Sequence, residues 1–306
     1  MFRIPKQRCS GSFDRNGRID VGYSYSIVFT VALISFSLLG SSFAFGKSKT
    51  QVSSWSCYYG QQDRTEELIQ FDLAVLAVHG QNPDPLRKAG VKCLVYISLG
   101  EVSAGGPYYV EAKERGLLVR YNDNWDSWVV DIRRPEWKDM LFERIIPDAL
   151  KAGYDGLFFD TLDSPIDMQR RDPDTYKGTE RSAVELIKSI RKSFPKLLLC
   201  QNRGFEILGR TAKSIDYLLL EGLSSFIDLK TQTRTDVAKA DREFLLAKSS
   251  TALKENRKLV VLSLDYVPLD DAGETAKAFD YSRKQGFVPY VSTPALDQVN
   301  TYAHTP

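Results

Sequence analysis

Two acidic side chains stand where apolar runs stop: Asp160 closes Gly156-Leu157-Phe158-Phe159, and Glu221 closes Leu218-Leu219-Leu220. Such runs read as strands covered on both faces, as in a parallel sheet. An acid at the carboxyl end of such a strand sits where α/β folds place ligands, although a single one can equally cap the next helix. The other strand ends separate these readings. Trp55 to Cys57 runs into Tyr58 and Tyr59, Leu73 to Val78 into His79, and Lys92 to Leu99 into Gly100 and Glu101. Trp128 to Val130 runs into Asp131, Leu197 to Cys200 into Gln201 and Asn202, and Val261 to Leu264 into Asp265 and Tyr266; Asp163 follows Asp160 by three residues. A ring of carboxylates, amides and tyrosines has the composition of a sugar-binding cleft. Opposed carboxylates are what glycoside hydrolysis requires, one to protonate the leaving oxygen and one to attack the sugar carbon or activate water. Asp160 and Glu221 are therefore expected to be the catalytic pair, and the other ten residues to contact substrate.

No other chemistry competes well. The sequence has no nucleophile elbow, no HExxH and no P-loop. His79 and His304 are the only histidines, so His79 is expected to be a structural or substrate-bonding residue rather than a metal ligand. Asp163, before Ser164-Pro165, reads as a turn or cap residue as well as a candidate contact. Neither metal nor cofactor is expected.

The elements that must position these residues alternate between apolar runs and helical periodicity from Trp55 onward, which predicts repeated βα units and a (β/α)8 TIM-type barrel. The predicted strands are 55–59, 73–78, 92–99, 128–132, 156–159, 197–201, 217–220, 259–264 and 287–292. That is one more than a closed barrel needs, so either 128–132 or 287–292 is an addition. Asp160 and Glu221 fall two barrel strands apart, and alternate strands share a side-chain layer. Helices are expected from Pro135, with a kink or end at Pro147; from Thr179 to Pro195; over 235–255; and over 273–285. The long segments 100–125 and 164–178 follow strand ends and should shape the cleft.

Residues 1–44 read as a leader: Arg3, Lys6, Arg8, Arg15 and Arg18, then an uncharged apolar run from Ile27 to Leu39, then Ser42-Phe43-Ala44. That order is an export signal with cleavage after Ala44, implying a secreted or periplasmic protein. Left uncleaved, the apolar stretch would be a membrane anchor at the N-terminus. Residues 45–54 then form a linker and 55–306 the barrel domain. Five basic against two acidic side chains in the leader reduce a chain total of +2 to −1 for the remainder, and no later stretch interleaves basic clusters with aromatics, so no nucleic-acid partner is expected. Cys57, Cys93 and Cys200 make neither a zinc pattern nor a disulfide framework and read as small buried residues.

The set Tyr96-Ile97-Ser98-Leu99-Gly100-Glu101, Asp155 to Asp163, Gln201-Asn202, Leu220-Glu221 and Leu264-Asp265-Tyr266, in this order, resembles the endo-α-1,4-polygalactosaminidase-like glycoside hydrolases of family 114. The resemblance spans Trp55 to about Ser292. It implies a (β/α)8-type barrel acting on galactosamine-containing exopolysaccharide, with Asp160 as nucleophile and Glu221 as acid/base of a retaining, endo-acting enzyme. The sequence departs from the family at the end of the second strand, where Leu76-Ala77-Val78-His79 replaces an acidic residue. Glu101, Asp131 and Asp265 would suit a cationic amino sugar by charge attraction. The competing expectation is a polysaccharide-binding barrel without turnover; a glycosidase of different linkage preference is a third.

Overall fold

The computed structural model describes residues 51–228 and 233–304. The expected leader, its anchor alternative and the start of the linker lie outside the described residues; among those described, no helix is long and apolar enough to cross a membrane.

The described residues form thirteen strands: β1 (Trp55–Tyr58), β2 (Leu73–Leu76), β3 (Lys92–Ser98), β4 (Glu101–Ser103), β5 (Leu118–Asn122), β6 (Ser127–Val130), β7 (Gly156–Asp160), β8 (Leu198–Asn202), β9 (Tyr217–Glu221), β10 (Ser225–Asp228), β11 (Thr233–Asp236), β12 (Val260–Tyr266) and β13 (Val288–Ser292). Eight make one parallel sheet in the order β1-β2-β3-β7-β8-β9-β12-β13. The sheet curls into a nearly closed barrel, and the indole of Trp55 on β1 donates to Val288 O on β13 at 2.9 Å across the seam. The surplus run at 128–132 is the added one. It forms β6 of a small antiparallel sheet, β4-β6-β5, inserted between β3 and β7.

Strand alternation sorts the apolar residues into two layers. Trp55, Cys57, Leu94, Phe158, Cys200, Leu219 and Leu264 fill the barrel interior. Their neighbours in sequence, among them Tyr58, Leu157, Phe159, Leu199, Leu218 and Leu220, face the helices. Gly156 lets β7 lie close to its neighbours: a Cβ there would fall 2.1 Å from Leu198 O and 2.6 Å from the Leu94 side chain. All three cysteines after the leader are free and buried, as expected of small core residues.

Two helical segments refine the expectation. Helix Pro135–Met140 does not end at Pro147 but passes through a π-helical turn, Leu141–Ile145, into Ile146–Lys151; the wider turn accommodates a residue without an N–H. The segment expected to begin a helix at 235 first completes the β10–β11 hairpin, and the helix is Lys239–Glu255.

Candidate active site

Parity along the strands selects the side chains at the barrel mouth. Tyr59, Tyr96, Asp160, Asn202, Glu221 and Tyr266 each lie two residues beyond an interior residue, namely Cys57, Leu94, Phe158, Cys200, Leu219 and Leu264, so all six project into the top layer. They meet there. Tyr96 OH donates to Asp160 Oδ2 at 2.9 Å, and Tyr266 OH donates to Glu221 Oε1 at 2.7 Å. Between them Asn202 Nδ2 donates to Asp160 Oδ1 and to Glu221 Oε2, at 3.1 Å each. Each carboxylate thus receives one tyrosine hydroxyl and one hydrogen of a shared amide. The Tyr59 ring packs edge-on against Tyr96, 5.5 Å between centroids.

The chain turns sharply after each of the three central residues. Thr161, Arg203 and Gly222 follow Asp160, Asn202 and Glu221 with φ of 66°, 52° and 67°. A β-branched residue is seldom left-handed, and its neighbours hold Thr161 there. Its Oγ1 lies 2.7 Å from Ser98 Oγ and accepts from Gly100 N at 2.9 Å. Gly100 is required for this approach, since a Cβ would fall 2.2 Å from Thr161 O.

Residues 41–305 match the model of "Glycoside-hydrolase family GH114". The chain belongs to glycoside-hydrolase family GH114. Among solved structures it is similar to the glycoside hydrolase domain of PelA from Pseudomonas aeruginosa, at 28% identity over 81% of this chain and 98% of that one, with a TM-score of 0.72. It also shares its fold with Ega3 from Aspergillus fumigatus, solved in complex with galactosamine, at 14% identity over 84% of this chain and 98% of that one, TM-score 0.62. No curated protein sequence matches the chain.

Not all expected contacts reach the mouth of this GH114 barrel. Tyr58, Gln201 and Asp265 each immediately precede a mouth residue, and adjacent strand residues point to opposite faces. Tyr58 OH donates to Gln62 O at 2.8 Å. Gln201 is fully buried on the helix side, where Nε2 donates to Arg203 O at 2.8 Å and Oε1 accepts from Thr211 Oγ1 at 2.8 Å. Asp265, also buried, accepts from Ser224 N at 2.6 Å and Ser225 N at 3.0 Å and so anchors the loop after Glu221. These three support the site from behind. Asp131 is bound to Arg133, which donates to Oδ2 at 2.7 Å and also to Thr175 O at 2.7 Å, tying the small sheet to the 172–178 turn. Burial works upward on Asp131, but the Arg133 hydrogen bonds outweigh it and hold the carboxyl below its usual range. His79 is exposed in a left-handed turn, φ 60°, and takes no part in the hydrogen bonds joining the six mouth residues. Asp131 and Asp265, two of the acids expected to attract a cationic sugar, are thus engaged by groups of the protein itself.

Glu101 and Asp163 lie nearer the cluster. Glu101 is buried, accepting from Asn122 Nδ2 at 3.0 Å and from Ser127 Oγ. Asp163 is the first residue of helix Asp163–Arg171, placing an acid in its first turn, with Leu162 at the N-cap position. Its carboxyl is raised by burial, against the lowering influence of Arg203. Asp160 is pushed up to about 7, first by burial, then by the charges of Glu221 and Asp163.

Tyr96 was not among the expected contacts. The available signal was parity: it lies two residues before Ser98, the partner of Asp160 in the β3–β7 register, and two after interior Leu94. Among the described residues no cluster of His, Cys, Asp and Glu could hold a metal ion.

Proposed function

We propose that this GH114 enzyme is an endo-acting, retaining glycosidase that cleaves α-linked galactosamine-containing exopolysaccharide through Asp160 and Glu221. The observation carrying the reading is that one amide nitrogen, Asn202 Nδ2, reaches both carboxylates at 3.1 Å. If the two hydrogens of the amide, about 120° apart, point straight at their acceptors, the accepting oxygens are about 5.4 Å from one another, which is compatible with the separation of about 5 to 5.5 Å used for retention. The amino sugar is suggested by the galactosamine bound to Ega3 and by the acidic character of Asp160, Asp163, Glu221 and Glu101.

In the first step an oxygen of the Asp160 carboxylate bonds to the anomeric carbon. The bond from that carbon to the leaving oxygen breaks, and Glu221 gives that oxygen its proton. In the second step Glu221 takes a proton from water, whose oxygen displaces Asp160. Asp160, Asn202 and Glu221 are held by short side chains on three consecutive barrel strands, which keeps these distances through both steps.

One observation favours the reverse assignment: a carboxyl raised to about 7 suits a proton donor. Azide distinguishes the two. With Asp160→Gly, azide entering in place of the nucleophile gives a β-glycosyl azide from an α-linked substrate; if Asp160 is the acid, the glycosyl azide keeps the α configuration.

The founding test is hydrolysis of α-1,4-linked galactosamine polymer, with Asp160→Asn and Glu221→Gln each expected to abolish new reducing ends. Activity surviving both substitutions overturns the assignment, and polymer binding without turnover by the unsubstituted protein supports the binding-barrel alternative. Export rests on residues 1–44, and N-terminal sequencing of the mature protein tests it.

A further inference from the structure

The position of Asn202 carries more than substrate contact. It is 6% exposed, and both hydrogens of its amide are committed, one to each carboxylate. This orients the side chain, because a carbonyl oxygen turned toward two carboxylates would be repelled by both. The cost appears at the other end: Asn202 Oδ1 is buried and has no hydrogen-bond partner. A buried acceptor without a partner is unfavourable. An apolar residue on β8 would have avoided that cost, so the amide's orientation is set by the two acids rather than by the core.

We propose that Asn202 is a positioning residue that sets the separation of Asp160 and Glu221 and keeps the pair from sharing a proton directly. The inference rests on the reading of these two acids as the catalytic pair and deepens it. A planar amide donor between two carboxylates has one length and one angle, so it holds the two oxygens at the distance retention needs. Each N–H also stabilises a negative charge, which lets the two acids stand close without being forced into one common protonated form. Tyr96 and Tyr266 orient the far oxygen of each carboxylate; neither reaches both.

The groups facing Asp160 are Glu221 on β9, Asp163 on the following helix, Tyr96 on β3, Tyr59 and Cys57 on the first strand and its end, and Tyr266 on β12. All are acidic or neutral when protonated. With Asn202 removed, nothing cationic among them replaces its donors, so the Asp160 carboxyl must rise further.

Asn202→Ala and the isosteric Asn202→Asp test this, the second guarding against a folding defect caused by lost volume. The first readout needs no substrate: carboxyl-carbon NMR titration of Asp160 in the full chain. The expected result is an apparent Asp160 pKa higher by at least about half a unit in Asn202→Ala and by more in Asn202→Asp. The second is steady-state kinetics on α-1,4-galactosamine oligomers. A misplacement of about 1 Å costs about 100-fold in turnover, so kcat should fall by that order in Asn202→Ala while KM changes less than about threefold. An unchanged titration together with kcat within twofold of wild type overturns the proposal, as does a loss confined to KM, which would make Asn202 a substrate contact. If instead Asp160→Asn and Glu221→Gln stay active, the catalytic reading fails while the NMR titration still reports whether Asn202 bridges the pair.

Discussion

Asp160→Asn should make this protein more stable above neutral pH while removing its activity. In the folded chain the carboxyl is pushed from 3.8 up to about 7, chiefly by burial and then by Glu221 and Asp163. In the unfolded chain it titrates near its ordinary value. The folded state therefore resists ionisation that the unfolded state accepts. The stabilising contribution of the neutral form is complete below about pH 4, declines as pH rises, and is lost once pH passes about 7. At about 1.4 kcal/mol per unit, a shift of about three units sets a ceiling of about 4 kcal/mol. Asp160 keeps some exposed surface, and relaxation and water access reduce this to about 1–2 kcal/mol. Asparagine has nearly the same shape, can still accept from Asn202, and can turn its amide toward the Tyr96 oxygen, so little is lost in exchange. For a domain of this size the gain corresponds to about 2–6 °C in Tm. Thermal unfolding of both proteins at pH 4, 5.5 and 8 checks it: no difference at pH 4, an intermediate one at 5.5 and the full gain at 8. A pH-independent difference, or a variant less stable at pH 8, would refute the electrostatic account of the site.

Other consequences follow from the same geometry. Gly100→Ala places a Cβ 2.2 Å from Thr161 O, and since Thr161 follows Asp160 directly, kcat should fall about 100-fold on galactosamine oligomers with secondary structure by circular dichroism retained. Strand parity predicts opposite phenotypes for neighbours on β12. Asp265→Ala strands the Ser224 and Ser225 N–H groups and should cost about 1–3 kcal/mol in urea unfolding, whereas Tyr266→Phe removes a hydroxyl from Glu221 and should lower kcat about tenfold or more with Tm near wild type. Equal effects of the two on both measurements would count against the layer assignment.

The sequence by itself determined which strands end in acids, because an acid after an apolar run has only the strand's carboxyl end to occupy. The strand-end places of Asp160 and Glu221 were legible in this way, as were the barrel class, with one strand too many, and the family resemblance carried by five short motifs. What the sequence left open was direction. Tyr58-Tyr59, Gln201-Asn202 and Asp265-Tyr266 are each two polar residues at a strand end, and either member could face the sugar. Only the register of the closed sheet decides which one does, since the pleat sends neighbours to opposite faces and the interior positions of Cys57, Cys200 and Leu264 set the phase. The place of β6 was equally beyond a local reading: its apolar run resembles a barrel strand, and its exclusion depends on antiparallel pairing with β4 and β5 rather than on anything in its own sequence. The bridge itself is purely tertiary. Tyr96, Asn202 and Tyr266 come from strands far apart in the chain, and only closure of the sheet brings the two hydrogens of one amide to two carboxylates.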